Sequence, residues 1–382
     1  MTSKNFFSLK NVFIVFPIIF FLNEKIYMSI NQASGTYNSY ISIIMLVLIV
    51  IVGFLLDIRF TKVQILVSFI FLFLLMITFL LNKASLDETF RYLFDYLLFV
   101  IVSKINYINL SVLSKIIIMN GLYYVLTNQN LYFERTAGFF ITSPPNFSIV
   151  ILISMLVLLK ELEYKQVNSG TKFLNLICIF VSLYMIYLSE TRSVLILALI
   201  FNIFYFYKKY IKKHSYKIKF LFFSISILGI FPIYQIFNNI LNSRLNGDAS
   251  TETRFFLYRT VFDALVANPS KSLIGNGPGA AYDLISRTVN LQFPLHFDFL
   301  SIMYDLGIIG IVLLFISGRV YYKKTPLSVG LLILLANFHN LIFFPLGIIY
   351  ISLFWNYLNS LKENKELGEA EFVESIKRIK AY

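Results

Sequence analysis

Hydrophobic and polar positions along this chain fall into blocks rather than a fine alternation. Long apolar runs, most of them uncharged, are separated by short polar links. The runs lie near 11–30, 39–57, 63–81, 90–106, 110–127, 147–160, 173–189, 193–207, 218–240, 296–317, 326–341 and 343–358. A bilayer core is crossed by a helix of about 20 mainly apolar residues, so the pattern predicts an all-α, polytopic transmembrane bundle of about 12 spans. Residues 1–382 read as one integral membrane domain. The long hydrophilic insertion at 241–295, between spans nine and ten, is expected as an extracytoplasmic loop, and 359–382 as a cytoplasmic tail.

Composition strengthens this picture. The chain is 58% hydrophobic and 14% charged, with 41 Phe and 25 Tyr. A soluble fold has no use for so many apolar runs. The N-terminal stretch "MTSKNFFSLKNVFIVFPIIFF" has the basic start and apolar centre of a signal peptide, but no small-residue cleavage site follows. It reads as an uncleaved first span. Cys178 is the single cysteine and lies in an apolar run, which excludes a disulfide framework within the chain.

Charge changes the picture through its placement. The net charge of +13 invites a nucleic-acid reading. With the N-terminus inside, however, basic residues gather in alternate links: Arg59 and Lys62, Lys104, then Lys160, Lys165 and Lys172. They continue with Lys208, Lys209, Lys212, Lys213, Lys217 and Lys219, then Arg319, Lys323 and Lys324. Cytoplasmic links of membrane proteins carry such an excess. Both termini are therefore expected in the cytoplasm, and no nucleic acid is expected as a partner. The tail "LKENKELGEAEFVESIKRIKAY" reads either as a solvated end or as a short amphipathic helix at the inner surface.

Two outer loops stand out, at about 128–146 and 241–295. The second contains "IGNGPGAAYD", with Gly275, Gly277 and Gly279. Such glycines can cradle a dinucleotide phosphate, but only between a buried strand and a helix in a βαβ unit. No such unit surrounds them. Glycine here instead serves a tight turn and a close backbone approach.

The side chains able to do chemistry gather on the same expected side. His214 lies in the basic inner link and reads as part of a solvated charge run. His296 and His339 lie at outer span ends, where a histidine is either an interfacial hydrogen bonder or a base. Arg135, Arg192, Arg244, Arg254, Arg259 and Arg287 fall in outer loops or outer helix ends. In "YLSETRSVLIL" a very short turn between two apolar spans holds Glu190 and Arg192, which either pair with each other or line a polar cavity. Arg254 and Arg259 share a helical stretch that either binds a ligand or lies on lipid headgroups. Several guanidinium forks beside an imidazole suit a lipid-linked diphosphate, because the forks bind phosphate oxygens in pairs. Diphosphate is a good leaving group, so glycosyl transfer from it requires a base for the acceptor hydroxyl and positive charge for the departing anion. The sequence contains no Asp-x-Asp and no zinc-spaced His/Cys cluster. Neither a metal nor a cofactor is expected.

These stretches resemble the O-antigen polymerase and ligase superfamily, the Wzy-like polymerases and related ligases of bacterial surface polysaccharides. The resemblance runs from about 130 to 345. "RTAGFFITSPPN" is similar to the family's entry into a mid-chain span, through Arg135, Gly138, Pro145 and Asn146. "LSETRSVLILAL" resembles its Ser/Thr-x-Ser-Arg element at Arg192, with Thr191 where serine is common. "TRFFLYRTVFDALVANPSKSLIGNGPGAAY" resembles the Arg-bearing helix, proline and Gly-x-Gly-x-Gly loop through Arg254, Pro269, Gly275, Gly277 and Gly279. "HFDFLSIMYDLGIIG" is similar to the ligase-type pattern of His296, ten residues, then Gly307 and Gly310. Phe297 departs from it, since that pattern prefers Asn, Ser or Gln there.

The resemblance implies a GT-C-like glycosyltransferase in the bacterial inner membrane, acting in lipopolysaccharide or other polysaccharide biosynthesis. Its substrates would be undecaprenyl-diphosphate-linked glycans, one as donor and one as acceptor, with membrane lipids and a chain-length regulator as further partners. The growing glycan would pass from its undecaprenyl diphosphate to a lipid-linked repeat unit. His296, Arg254 and Arg192 would be catalytic. Arg135, Asn146, Arg259, Gly275, Gly277, Gly279 and His339 would line the substrate site. A ligase that moves finished glycan to another acceptor would use the same residues. A polysaccharide or lipid transporter is the alternative from another class, and it would place its substrate groups near mid-membrane.

Overall fold

The computed structural model describes residue 47 and residues 59–82, 84–105, 109–127, 131–132, 135–136, 144–164, 167–212, 214–222, 224, 249–289, 295, 297–322, 326–337 and 347–361. Among these, helices dominate. Five are long and apolar enough to cross a membrane: Lys62–Asn82, Pro144–Glu163, Ser169–Leu188, Arg192–Ile211 and Asp298–Tyr322. The expected spans at 11–30 and 39–57, most of 218–240 and the tail beyond 361 lie outside the described residues. The chain divides into two compact units, 114–259 and the remainder.

In the first unit, α1 (Lys62–Asn82) and α2 (Leu86–Val102) precede α3 (Leu110–Leu126), whose first residues belong here. α1 is uncharged from Val63 to Leu81, and its outward face is apolar: Ile65, Leu66, Phe69, Phe73 and Leu80 are exposed. An exposed apolar stripe of that length is tolerable only against lipid. The other face packs on α2 and on α10 (Asp298–Tyr322). Hydroxyls knit one end together. Tyr321 Oη lies 2.6 Å from Ser68 Oγ and donates to the Gln64 carbonyl at 2.9 Å, while Tyr322 Oη donates to the Phe99 carbonyl at 3.0 Å. The helix over 347–361, here α11, supplies Trp355 stacked on Tyr322 at 4.4 Å. Its Asn356 amide donates to the carbonyls of Val102 and Ser103 at 3.0 and 2.9 Å, supplying donors at the end of α2, where intrahelical ones run out.

The second unit is built around α4 (Pro144–Tyr164), which starts on two prolines, the residue best suited to a first helical turn. From Phe147 to Leu159 α4 has apolar residues nearly all round and is buried, with Phe147, Ile149, Leu152 and Ile153 fully so. It packs against α5 (Ser169–Leu188) and α6 (Arg192–Phe206). Gly121 of α3 lets that helix close on them, since a Cβ there would stand 3.1 Å from Ile151 and 3.2 Å from Met185. α5 is capped by Asn168, which accepts from the Thr171 amide at 2.8 Å. α6 runs on into a wide turn, Tyr207–Ile211, that carries Lys208 and Lys209. Glu163 pairs with Lys160 at 2.7 Å and with Lys208.

The region expected as the first outer loop contains a small departure from the all-α expectation. Leu131–Tyr132 and Arg135–Thr136 form a two-residue antiparallel ladder. Among its described residues the expected second loop is largely helical. It holds α7 (Ala249–Ala267), α8 (Pro269–Ile274) and α9 (Ala280–Val289).

Candidate functional site

The glycine motif is the best-defined part of the site. α8 begins with Pro269 at its first turn and stops at Gly275, which has φ 95° and ψ 172°. Gly277 and Gly279 follow with φ of 96° and 84°. The loop lies across a break in α10, where Gly307 has φ 71° and ψ −177°. Gly275 and Gly307 have backbone angles that essentially only glycine adopts. Their closeness is a second reason for glycine. A Cβ on Gly275 would meet the Asp305 carbonyl oxygen at 2.2 Å, and one on Gly307 would meet the Leu273 carbonyl oxygen at 2.2 Å. A Cβ on Gly279 would strike the Glu88 side chain of α2 at 2.7 Å.

The amides of this loop are already engaged. Gly275 N–H donates to the Lys271 carbonyl, Asn276 N–H to the Tyr304 carbonyl at 2.8 Å, and Gly277 N–H to the Asp305 carbonyl at 2.9 Å. Gly279 N–H donates to Asp305 Oδ2 at 3.0 Å, and Ala281 N–H to Asp305 Oδ1 at 2.8 Å. The loop therefore presents protein-bound amides rather than an open anion nest. Tyr92 of α2 donates its hydroxyl to Asp305 Oδ2 at 2.9 Å. Asp305 is 2% exposed and has a donor on each oxygen. The sequence reading quoted this aspartate inside "HFDFLSIMYDLGIIG" without singling it out. Its available signal was an acid two residues before a glycine, inside an apolar run whose one other acid, Asp298, stands at the start.

Beside the clasp, Arg91 and Glu88 of α2 pair at 3.2 and 2.6 Å. Lys271 donates to Asn82 Oδ1 at 3.0 Å. The end of α1, the start of α2, the glycine loop and the first half of α10 thus meet at one end of the first unit.

The arginines expected at the site divide between helices of the second unit. Arg192 is the first residue of α6, after the turn in which Glu190 takes φ 53°. Thr191 and Ser189 below it are buried. Arg192 makes no ion pair among the described residues. Arg254 is half-buried on α7, and its buried Nε has no hydrogen-bond partner among the described residues. Arg259 is exposed on the same helix. Asn146 is half-buried in the first turn of α4. The backbone of Arg135 pairs with Tyr132, and its side chain lies outside the described residues. His296 and His339 also lie outside them. Of the chain neighbours of His296, Leu295 is buried and Phe297 directly precedes α10. Among the described residues no group of three His, Cys, Asp or Glu side chains is arranged to hold a metal ion.

Five apolar helices of spanning length among the described residues, one of them opening on Arg192, point to a multispanning membrane protein. Residues 177–315 match the family model Wzy_C, described as O-Antigen ligase, consistent with the O-antigen polymerase and ligase superfamily that the motifs resemble. Its members are membrane glycosyltransferase-like enzymes. No curated protein matches the chain.

Proposed function

We propose that this protein is a polysaccharide polymerase of the bacterial inner membrane that works on undecaprenyl-diphosphate-linked glycans. Arg192 and Arg254 bind the donor diphosphate, with Arg135 and Arg259 assisting. His296 takes the proton of the acceptor hydroxyl as its oxygen bonds to the anomeric carbon. The bond from that carbon to the diphosphate breaks, and the departing anion stays with the guanidinium groups. His339 supports the imidazole. The observation that carries this reading is the buried Nε of Arg254, without a hydrogen-bond partner among the described residues, in the same compact unit as Arg192 and inside the matched stretch. An unsatisfied buried donor costs about 1–3 kcal/mol, and an oxyanion removes that cost.

Sidedness supports the same reading. Within the first unit the glycine loop lies where α1 ends and α2 begins, while Arg59, Lys62 and Lys104 lie at the opposite ends of those two helices and Arg319 in the last turn of α10. By the positive-inside rule the basic end is cytoplasmic, so the glycine loop faces outward, in keeping with about 12 spans and a cytoplasmic N-terminus.

The description of the matched family favours a ligase as second reading. Phe297, where the ligase pattern prefers a polar residue, favours the polymerase. The test uses purified protein, lipid-linked repeat units and gel analysis of product length. Arg192→Ala and His296→Ala express normally and stop chain extension; wild-type chain lengths in both would defeat the assignment. In cells, loss of a polymerase leaves one repeat unit on the final acceptor, whereas loss of a ligase leaves none.

A further inference from the structure

We propose that Glu190, together with the Thr136 hydroxyl, reads the sugar next to the diphosphate, as the hydroxyl-recognising half of a site whose anion-binding half is Arg192. The inference deepens the function proposed above and rests on it.

Glu190 stands out by its backbone. Among the described residues it is the one non-glycine residue with a positive φ, 53°. Glycine fills such a place without strain, whereas a Cβ there crowds the following carbonyl. An acid kept where glycine would be easier marks a side chain with a task, and strain of this kind gathers at ligand sites. The task is not to neutralise Arg192. No ion pair joins the two, although they stand two residues apart and both are half-buried.

The turn that holds them is fixed from below. Ser189 Oγ donates to the Ile186 carbonyl at 2.7 Å, and the Thr191 amide donates to Ser189 Oγ at 3.4 Å. Burial alternates along 189–192: Ser189 and Thr191 are buried, while Glu190 and Arg192 share the accessible side. A carboxylate and a guanidinium set on one side yet kept apart suit a ligand with an anionic part and a hydroxyl-bearing part. The guanidinium takes phosphate oxygens and the carboxylate accepts from sugar hydroxyls, each bond strengthened by its charge.

Thr136 is the second observation. The residue is 5% exposed, and its hydroxyl has no hydrogen-bond partner among the described residues. A buried polar atom left open calls for an explanation, and a bound ligand supplies one. Its strand, Arg135–Thr136, packs on α5, the helix that leads to Glu190. At Gly121, where a Cβ would touch Phe147 and Met185, α3, α4 and α5 come to one level. From that level α3 runs five residues to its end, α4 three back to its start and α5 three to its end. These helix ends and the turn at 189–192 therefore lie together.

The strained backbone and the open hydroxyl both weaken the empty protein, as groups kept for a ligand do. The test reads stability and binding side by side. Full-length protein in nanodiscs is titrated with undecaprenyl diphosphate lacking sugar and, separately, with the lipid-linked repeat unit; its thermal midpoint is recorded without either. In Glu190→Gly the midpoint rises and affinity for the repeat unit falls ~10- to 100-fold, while affinity for bare undecaprenyl diphosphate stays within ~2-fold. Thr136→Val gives the same pattern with a ~3- to 10-fold loss. Glu190→Gln keeps the backbone and the midpoint and loses ~3- to 10-fold, which assigns the effect to the carboxylate rather than to a loosened turn.

Wild-type affinity for the repeat unit in any of the three variants overturns the proposal. A lower midpoint in Glu190→Gly or Thr136→Val does the same, because it makes that group a fold-keeping contact. So does an equal loss for both probes. Arg192→Ala separates the two readings. Unchanged affinity for undecaprenyl diphosphate there sinks the proposed chemistry, whereas its loss beside wild-type repeat-unit binding in Glu190→Gly sinks the sugar-reading role alone.

Discussion

Arg254 shows what a single residue must do in this protein. Its helix buries Leu257, Val261 and Leu265 on one side and exposes Phe255, Phe262 and Val266 on the other. Arg254, three, seven and eleven residues before the buried three, shares their side of the helix and is half-buried, and its Nε has no hydrogen-bond partner among the described residues. A lysine at 254 keeps the charge and loses the planar fork, so Arg254→Lys separates electrostatics from geometry. The expected result is a ~10- to 100-fold loss of chain extension with unchanged expression, from one to two charge-assisted hydrogen bonds of about 1.5–3 kcal/mol each. Full activity in this variant would reduce the arginine to a point charge. Arg192 differs in position: it opens α6, two residues after Glu190 with its φ of 53°, so its place is set by a backbone turn rather than by packing.

The element most exposed to test is the broken helix α10. Gly307 and Gly275 each occupy a glycine-only backbone region, and each would push a Cβ into the other's strand of backbone. Strain of about 1–3 kcal/mol and overpacking of similar size combine at each site. Gly275→Ala and Gly307→Ala are therefore expected to lower the thermal midpoint of the detergent-solubilised protein clearly. Gly170→Ala, where a Cβ meets only Asn168 at 3.9 Å, serves as the unaffected control. A melting curve for Gly307→Ala that overlays the wild type would contradict the packing described here. This element also marks the limit of what the sequence disclosed. Apolar run length located α1, α4, α5, α6 and α10 within a few residues, because a bilayer leaves a helix little choice of length. The glycines flagged a tight loop. Which surface that loop approaches depends on a contact between Gly275 and Gly307, 32 positions apart, and no local pattern encodes that distance. The same holds for Asp305, whose partners lie 24, 26 and 213 residues away. The Arg254 environment was equally hidden, since the apolar positions of α7 signal a helix without saying which side chains go unpaired.

At the scale of the whole molecule, the claim under test is sidedness. Replacing the buried Cys178 with serine gives a background free of cysteine. Ser270 and Lys212 are both exposed, one in the glycine-loop region and the other in the basic link. In intact cells with a permeable outer envelope, Ser270→Cys is expected to react with a membrane-impermeant thiol reagent. Lys212→Cys is expected to react only after lysis. Labelling of both from the same side would overturn the topology.

The clasp at Asp305 has a consequence for how such a protein diversifies. One carboxylate takes up two amides at the start of α9 and the hydroxyl of Tyr92 on α2, so α9, the glycine loop and the break in α10 change together or not at all. Ile285, fully buried on α9, adds a second tie to the apolar scaffold. Exchange of that helix between two such chains therefore requires the acid, Gly279 and the buried isoleucine to travel with it.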